Sequence, residues 1–515
     1  MEMLYKADLC DGTYRNPILY ADFSDPDVVR DGDRYYMTAS SFNYTPGLPI
    51  LRSYDLVNWE LLNYALENVP GERFDIPRHS EGVWAPSIRK HGDRFYIFFG
   101  MPDEGIFMTS ASDPLGKWTD PVCLLKGKGL IDPCPIWDDD GRAYVVHAYA
   151  KSRIGFKSIL GLFEMKPDGT EALSRDRFIF DGNDPAHTAV TIEGPKFYKR
   201  DGYYYILAPA GGVPEGYQLA LRSRDIYGPY EMKKILDTGD TGVNGPHQGA
   251  LIDAPDGSEW FIHFNDEGMY GRITYLEPVV WKDGWPVAGN DRTGEGWGEP
   301  VSVYKKPVSE IKTEPVYLQS SDEFEGGVYG LQWQWLGNHR SSFTGECEKG
   351  LRLKALNITG EEKPSLYRSS NVLTQKMVCP SFTSDTEVDI RGLKNGSRAG
   401  VLVNGGSFIS LYVTVEDDEM RICLEQDGTV IREDLFPRAE KVGFRIACDK
   451  GVRFYFRSGD GGYTDTGRSF SPSEDHWTGS KTGIYALSAG EPDGGYADFK
   501  YFRTVATDTG AGDQS

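Results

Sequence analysis

Four residues able to do acid–base chemistry open four similar short stretches of the chain: Asp25, Asp132, Glu193 and His247. Trp84 stands just before a fifth. Three carboxylates and an imidazole are costly to desolvate together. Structure alone favours small or apolar side chains at a shared buried point, so gathering like charges there points to chemistry. Two carboxylates in unequal protonation states can hydrolyse a glycosidic bond. One gives a proton to the leaving oxygen while the other draws a proton from water. A third carboxylate nearby raises the acid's pKa by repulsion. The residues alone do not say which of the three takes which part. Taken singly, each has a plainer reading. Asp-Pro opens turns, which would account for Asp25 or Asp132, and Glu193 before Gly194-Pro195 suits a surface loop. His247 alone suits a satisfied core position; on an axis shared with carboxylates it would hydrogen-bond one of them or hold a metal through water. Phe42, Tyr44 and Trp84 flank these positions, either to stack on a sugar face or to pack between elements.

The elements that must bring these residues together form an internal repeat. Asp25-Pro26-Asp27-Val28-Val29, Trp84-Ala85-Pro86-Ser87-Ile88, Asp132-Pro133-Cys134-Pro135-Ile136, Glu193-Gly194-Pro195-Lys196-Phe197 and Pro246-His247-Gln248-Gly249-Ala250 each lead into a Gly-bearing turn and an aromatic-rich strand. Asp-Gly between alternating apolar runs is the strongest local hairpin signal, because the turn needs positive φ. The anchors recur every 48 to 61 residues, the length of a four-stranded blade. Five in-phase repeats predict a five-bladed β-propeller. In that fold the first strand of each blade lines a central channel, so the anchors converge at one mouth.

No such repeat continues past residue 320. Phe408–Val413, Phe444–Cys448 and Val452–Phe456 alternate as half-buried strands, which predicts a β-sandwich or jelly roll. The chain is therefore expected to be all-β, with a propeller over 1–305, a linker over 306–320, a sandwich over 321–505 and a small polar tail over 506–515. The 515 residues carry a net charge of -22, which repels phosphate backbones and argues against nucleic acid as a partner. No stretch is long and apolar enough to span a membrane. The seven cysteines form no CxxC pair and the N-terminus lacks an apolar signal core, which together favour reduced thiols and a cytoplasmic setting.

Several motifs occur in a telling order: Asn16-Pro17-Ile18-Leu19 leading to Asp25-Pro26-Asp27, then Trp84-Ala85-Pro86-Ser87, Asp132-Pro133, Glu193-Gly194-Pro195, His247-Gln248-Gly249 and Gly271-Arg272-Ile273. Together they resemble glycoside hydrolase family 43. Ser40–Gly47 and Arg52–Trp59 are similar to its β-xylosidase branch, and Asp322-Glu323-Phe324 with Leu331–Trp335 to the concanavalin A-like C-terminal domain of those enzymes. The resemblance implies an inverting mechanism with Asp25 as general base, Glu193 as general acid and Asp132 as pKa modulator and orienting group. It places Arg272 in the glycone pocket and Phe42 and Trp84 on its wall. It makes His247 a channel residue that touches substrate or helps hold a structural calcium through waters, with no cofactor needed for the chemistry. The implied substrate is a xylooligosaccharide cleaved from its non-reducing end, with α-L-arabinofuranosidase or bifunctional action as the alternative. A non-catalytic carbohydrate-binding protein is the reading from another class, and the intact carboxylate set argues against it. The fructan-cleaving motif Asn-Asp-Pro-Asn does not occur, and of the repeated Asp boxes that sialidases need, Ser53-Tyr54-Asp55 is only a faint echo. Relatives of this kind are often dimers or tetramers, which makes a homo-oligomer an expectation. Ser24 and Cys134 depart from the usual pattern, and neither is expected to touch a catalytic atom.

Overall fold

The computed structural model describes residues 4–312 and 314–507. The N-terminal three residues and the tail from 508 lie outside the described residues. Five four-stranded antiparallel sheets follow one another as meanders. Their innermost strands are Asp27–Asp31, Pro86–His91, Leu130–Trp137, Lys196–Arg200 and His247–Asp253. The first hairpins turn at Gly32, Gly92, Gly141, Gly202 and Gly257, all at positive φ. The Gly-bearing turns of the sequence thus set the blade pitch, and the expected five-bladed propeller is present.

The ring is tied at its ends. Thr13–Arg15 pairs antiparallel with Val303–Lys305, and the Lys306 ammonium lies 2.6 Å from both Asp8 and Asp55. The following segment leads into a sheet of fourteen strands that curls into a sandwich. Its strands keep period two: Ser381–Asp389 alternates half-buried and buried residues along its whole length, as a sheet with one face on a core requires. Trp333, Trp335, Phe444, Phe499 and Phe502 fill that core. The last strand runs Asp493–Ala506, with Ala506 opposite Phe382.

The sandwich docks on the first and fifth blades. Thr45 and Trp335 exchange backbone hydrogen bonds of 3.0 and 2.6 Å, and Asn43 Nδ2 donates to Leu336 O at 2.6 Å. A sandwich loop over residues 471–480 reaches across to blade five. There Gly479 lies so near Gly271 that a Cβ on Gly479 would sit 2.6 Å from the Gly271 nitrogen. Asp22, buried at this seam, accepts from the Arg272 and Gly479 amides at 3.1 Å each and faces Lys481 at 3.4 Å.

Candidate active site

The inner-strand starts converge as the repeat requires. Asp25 stands two residues before its strand, Asp132 sits within Leu130–Trp137 where the ladder slips between Ile131 and Cys134, and Glu193 precedes Lys196–Arg200. The three line a cavity of about 370 Å³ together with Phe42, Trp84 and Arg272. Five of its non-glycine wall residues, Asp25, Phe42, Asp132, Thr191 and Gln248, have φ between 41 and 60°. Such left-handed backbone is costly for side-chain-bearing residues and gathers at functional sites.

Asp25 is buried and held by three donors. Ser40 Oγ donates to Oδ2 at 2.5 Å, Ser24 Oγ donates to the same oxygen at 2.9 Å, and Arg272 Nη1 lies 3.3 Å from Oδ1. Arg272 Nη1 also donates to Ser24 Oγ at 2.8 Å. Ser24 therefore does touch Asp25, contrary to the sequence expectation: its hydroxyl bridges the carboxylate and the guanidinium. Cys134 instead lies deeper, where its sulfur receives Arg89 Nη2 at 3.2 Å and the Phe197 amide at 3.3 Å.

Asp132 is buried, and its Oδ2 accepts the Gly194 amide at 2.8 Å. Burial first, then the charges of Glu193 and Asp25, push its carboxyl well above the ordinary carboxylate range, while the Gly194 N–H and Lys196 pull the other way. Protons in such a trio belong to the group as a whole. Glu193 is half-buried, with Oε1 3.3 Å from His247 Nε2.

His247 is buried at the start of its strand and lies behind Glu193 rather than on the cavity wall. Its Nδ1 is buried without a partner. Among the described residues no group of three or more His, Cys, Asp or Glu converges to hold a metal. That unpartnered Nδ1 faces the Gly216 backbone, where a Cβ would sit 2.7 Å away. Tyr44 is not at the site: its hydroxyl accepts from Asn404 at 3.1 Å and its ring packs among Leu336, Leu366 and Phe408 of the sandwich.

Three contributors escaped sequence reasoning. Trp477, from the sandwich loop, lines the cavity and meets Trp84 edge to face, ring centres 6.1 Å apart. No local signal links it to Asp25, 452 positions away in the sequence. Gln248 sits inside a motif already quoted and directs a buried Nε2 without a partner. Tyr149 joins the wall from the second strand of blade three, outside the repeat's anchor positions.

The model for glycosyl hydrolases family 43 matches residues 14–286, and that for a β-xylosidase C-terminal concanavalin A-like domain matches residues 321–504. The chain belongs to glycosyl hydrolases family 43. It is a glycoside hydrolase, and family 43 chemistry runs on carboxylates without a cofactor. A putative β-xylosidase of Xylanibacter ruminicola is 39% identical over 484 residues, covering 92% of this chain and 86% of that one. A non-reducing end α-L-arabinofuranosidase of Bacteroides ovatus is 31% identical over 423 residues, covering 77% and 74%. Among solved structures, a family 43 protein of a Bacteroides ovatus xyloglucan locus superposes with TM-score 0.82 at 26% identity, covering 96% of this chain and 100% of that one. Among the described residues no helix is long and apolar enough to cross a membrane.

Proposed function

We propose that the protein is an inverting exo-glycosidase that removes xylose from the non-reducing ends of β-1,4-xylooligosaccharides. The observation that carries this reading is the walled cavity: Asp25, Asp132 and Glu193 line a pocket whose wall is completed on the sandwich side by Trp477, packed against Trp84. That shape suits a chain end rather than a chain passing through. Similarity to proteins named β-xylosidase supplies the sugar.

In this mechanism Asp25, fixed by Ser24, Ser40 and Arg272, takes the proton of the attacking water. Glu193 gives its proton to the leaving oxygen on the other face of the sugar. Asp132 holds the turn that carries Glu193 through the Gly194 amide, and its own raised carboxyl keeps a proton within the trio. Arg272 Nε and Gln248 Nε2 are buried donors without protein partners, which sugar hydroxyls would satisfy. Phe42, Trp84 and Trp477 offer apolar faces to the ring. A calcium ion held through water would steady the His247 ring behind Glu193 and would take no part in bond making. The seven free cysteines support a reducing, cytoplasmic setting.

The test compares kcat/KM on chromogenic aryl β-D-xylopyranoside and α-L-arabinofuranoside. Preference for the xyloside is the expected result. Preference for the arabinofuranoside would replace it with side-chain removal, the reading that similarity to the Bacteroides ovatus enzyme supports. Absence of turnover on both, with sugar binding retained, would leave a binding protein.

A further inference from the structure

Blade three carries an aromatic surface that starts at the cavity wall and runs on beyond the cleavage site. Its strands Ala143–Tyr149, Ile159–Met165 and Arg177–Asp181 lie side by side. Across them His147 stands opposite Gly161, and Gly161 opposite Phe178. A Cβ on Gly161 would meet Tyr149 Oη at 2.5 Å, Asp176 Oδ1 at 2.7 Å and His147 Nε2 at 2.7 Å. A glycine inside a strand weakens it and marks a close approach. Here the space it leaves lets the Tyr149 phenol lie across the blade. The Tyr149 hydroxyl donates to Asp176 Oδ2, and His147 Nε2 lies 3.0 Å from Asp176 Oδ1. The tyrosine ring is thus locked from its polar end.

That locked ring joins the cavity to the outside. Tyr149 lines the cavity, and its ring centre lies 5.1 Å from Phe156 and 5.3 Å from Phe178. Phe156 is 38% exposed and Phe178 57%. Single exposed apolar residues need no explanation, but these two touch one another, at 6.0 Å, and run on from the cavity wall. The sandwich docks on blades one and five, and Trp477 joins the cavity wall from that side, so the path argued for the rest of a bound chain runs over blade three.

We propose that Tyr149, Phe156 and Phe178 form a second sugar-binding surface, which takes the leaving-group side of a β-1,4-xylooligosaccharide beyond the cleaved bond. This rests on the exo-hydrolase reading above. Pyranose rings present apolar C–H faces that stack on aromatic rings, and the locked Tyr149 sets the start of the track. The occupant is the reducing-end portion of the substrate itself, because the surface is continuous with the cavity that holds the other end.

The experiment compares the wild-type chain with a Phe156→Ala/Phe178→Ala variant. It measures kcat/KM on xylotetraose relative to that on an aryl β-xyloside too short to reach the surface. The ratio is expected to fall about fivefold in the variant. An unchanged ratio overturns the surface while leaving the exo-hydrolase reading intact. A wild-type chain inactive on both substrates overturns that reading, and the surface with it.

Discussion

Trp477 of the sandwich and Trp84 of the propeller meet at 69° with ring centres 6.1 Å apart, closing the cavity from two domains. Arg272 lies beneath the Trp477 ring at 5.4 Å, so the wall also backs the guanidinium that steadies Asp25. Trp477→Ala removes the wall while leaving the carboxylates in place. KM on xylobiose is expected to rise about tenfold, the scale of losing a buried aromatic contact. Product analysis with xylohexaose should then show internal cleavage in addition to release of single xylose units. An unchanged KM would mean that the wall does not touch the sugar.

The roles of Glu193 and Asp25 separate by leaving group. Glu193→Gln is expected to lower kcat on xylobiose by about 10²- to 10⁴-fold, the usual worth of a general acid. On a dinitrophenyl xyloside, whose leaving group needs no proton, the loss should shrink sharply. Asp25→Asn should cost as much on both substrates, because water must be activated in either case. The reverse pattern in steady-state kinetics would exchange the two assignments.

Asp132 touches neither reacting oxygen in this scheme and acts through Gly194 and through charge. Its carboxyl is held high by burial and by Glu193 and Asp25. Asp132→Asn removes the carboxyl of the trio whose proton affinity is raised. The alkaline limb of the pH–kcat/KM profile should move to lower pH. Loosening of the Glu193 turn should cost about a hundredfold in kcat. A fall in kcat with a stationary limb would leave Asp132 with a purely positional part.

Much of this was legible in the chain because blade period and anchor position are local properties. Asp25, Asp132 and Glu193 stand 7, 9 and 9 residues before the glycines of their first hairpin turns, and in a propeller such similar placement at the start of the inner strands means a shared axis. What was not legible depends on docking between distant segments. Tyr44 has the same aromatic surroundings in sequence as Phe42, yet it is covered by Leu336 and Phe408, and only the Thr45–Trp335 bridge decides that. Trp477 sits in a polar loop of a domain whose own core does not need it. His247 occupies the right repeat position but turns to Glu193 from behind, because its ring packs against Phe264 at 5.5 Å.

The same seam is expected to tie stability to pH. Glu474, in the loop that carries Trp477, has its carboxyl pushed up to about 7, by burial first and then by Asp266, with Asp22 adding and Arg272 opposing. A carboxyl whose pKa is higher in the folded state binds more protons folded than unfolded between about 4.5 and 7. Stability therefore falls as pH rises through that window and levels off above it. The side chain is partly open to solvent, which weakens the effect by screening. In Glu474→Gln the neutral amide keeps a hydrogen bond to Asp266 without the repulsion. The variant should match wild type in thermal melting near pH 5 and exceed it near pH 8. If the two chains lose Tm in parallel across that range, the pH dependence lies elsewhere and the Glu474–Asp266 contact is not what loosens the loop.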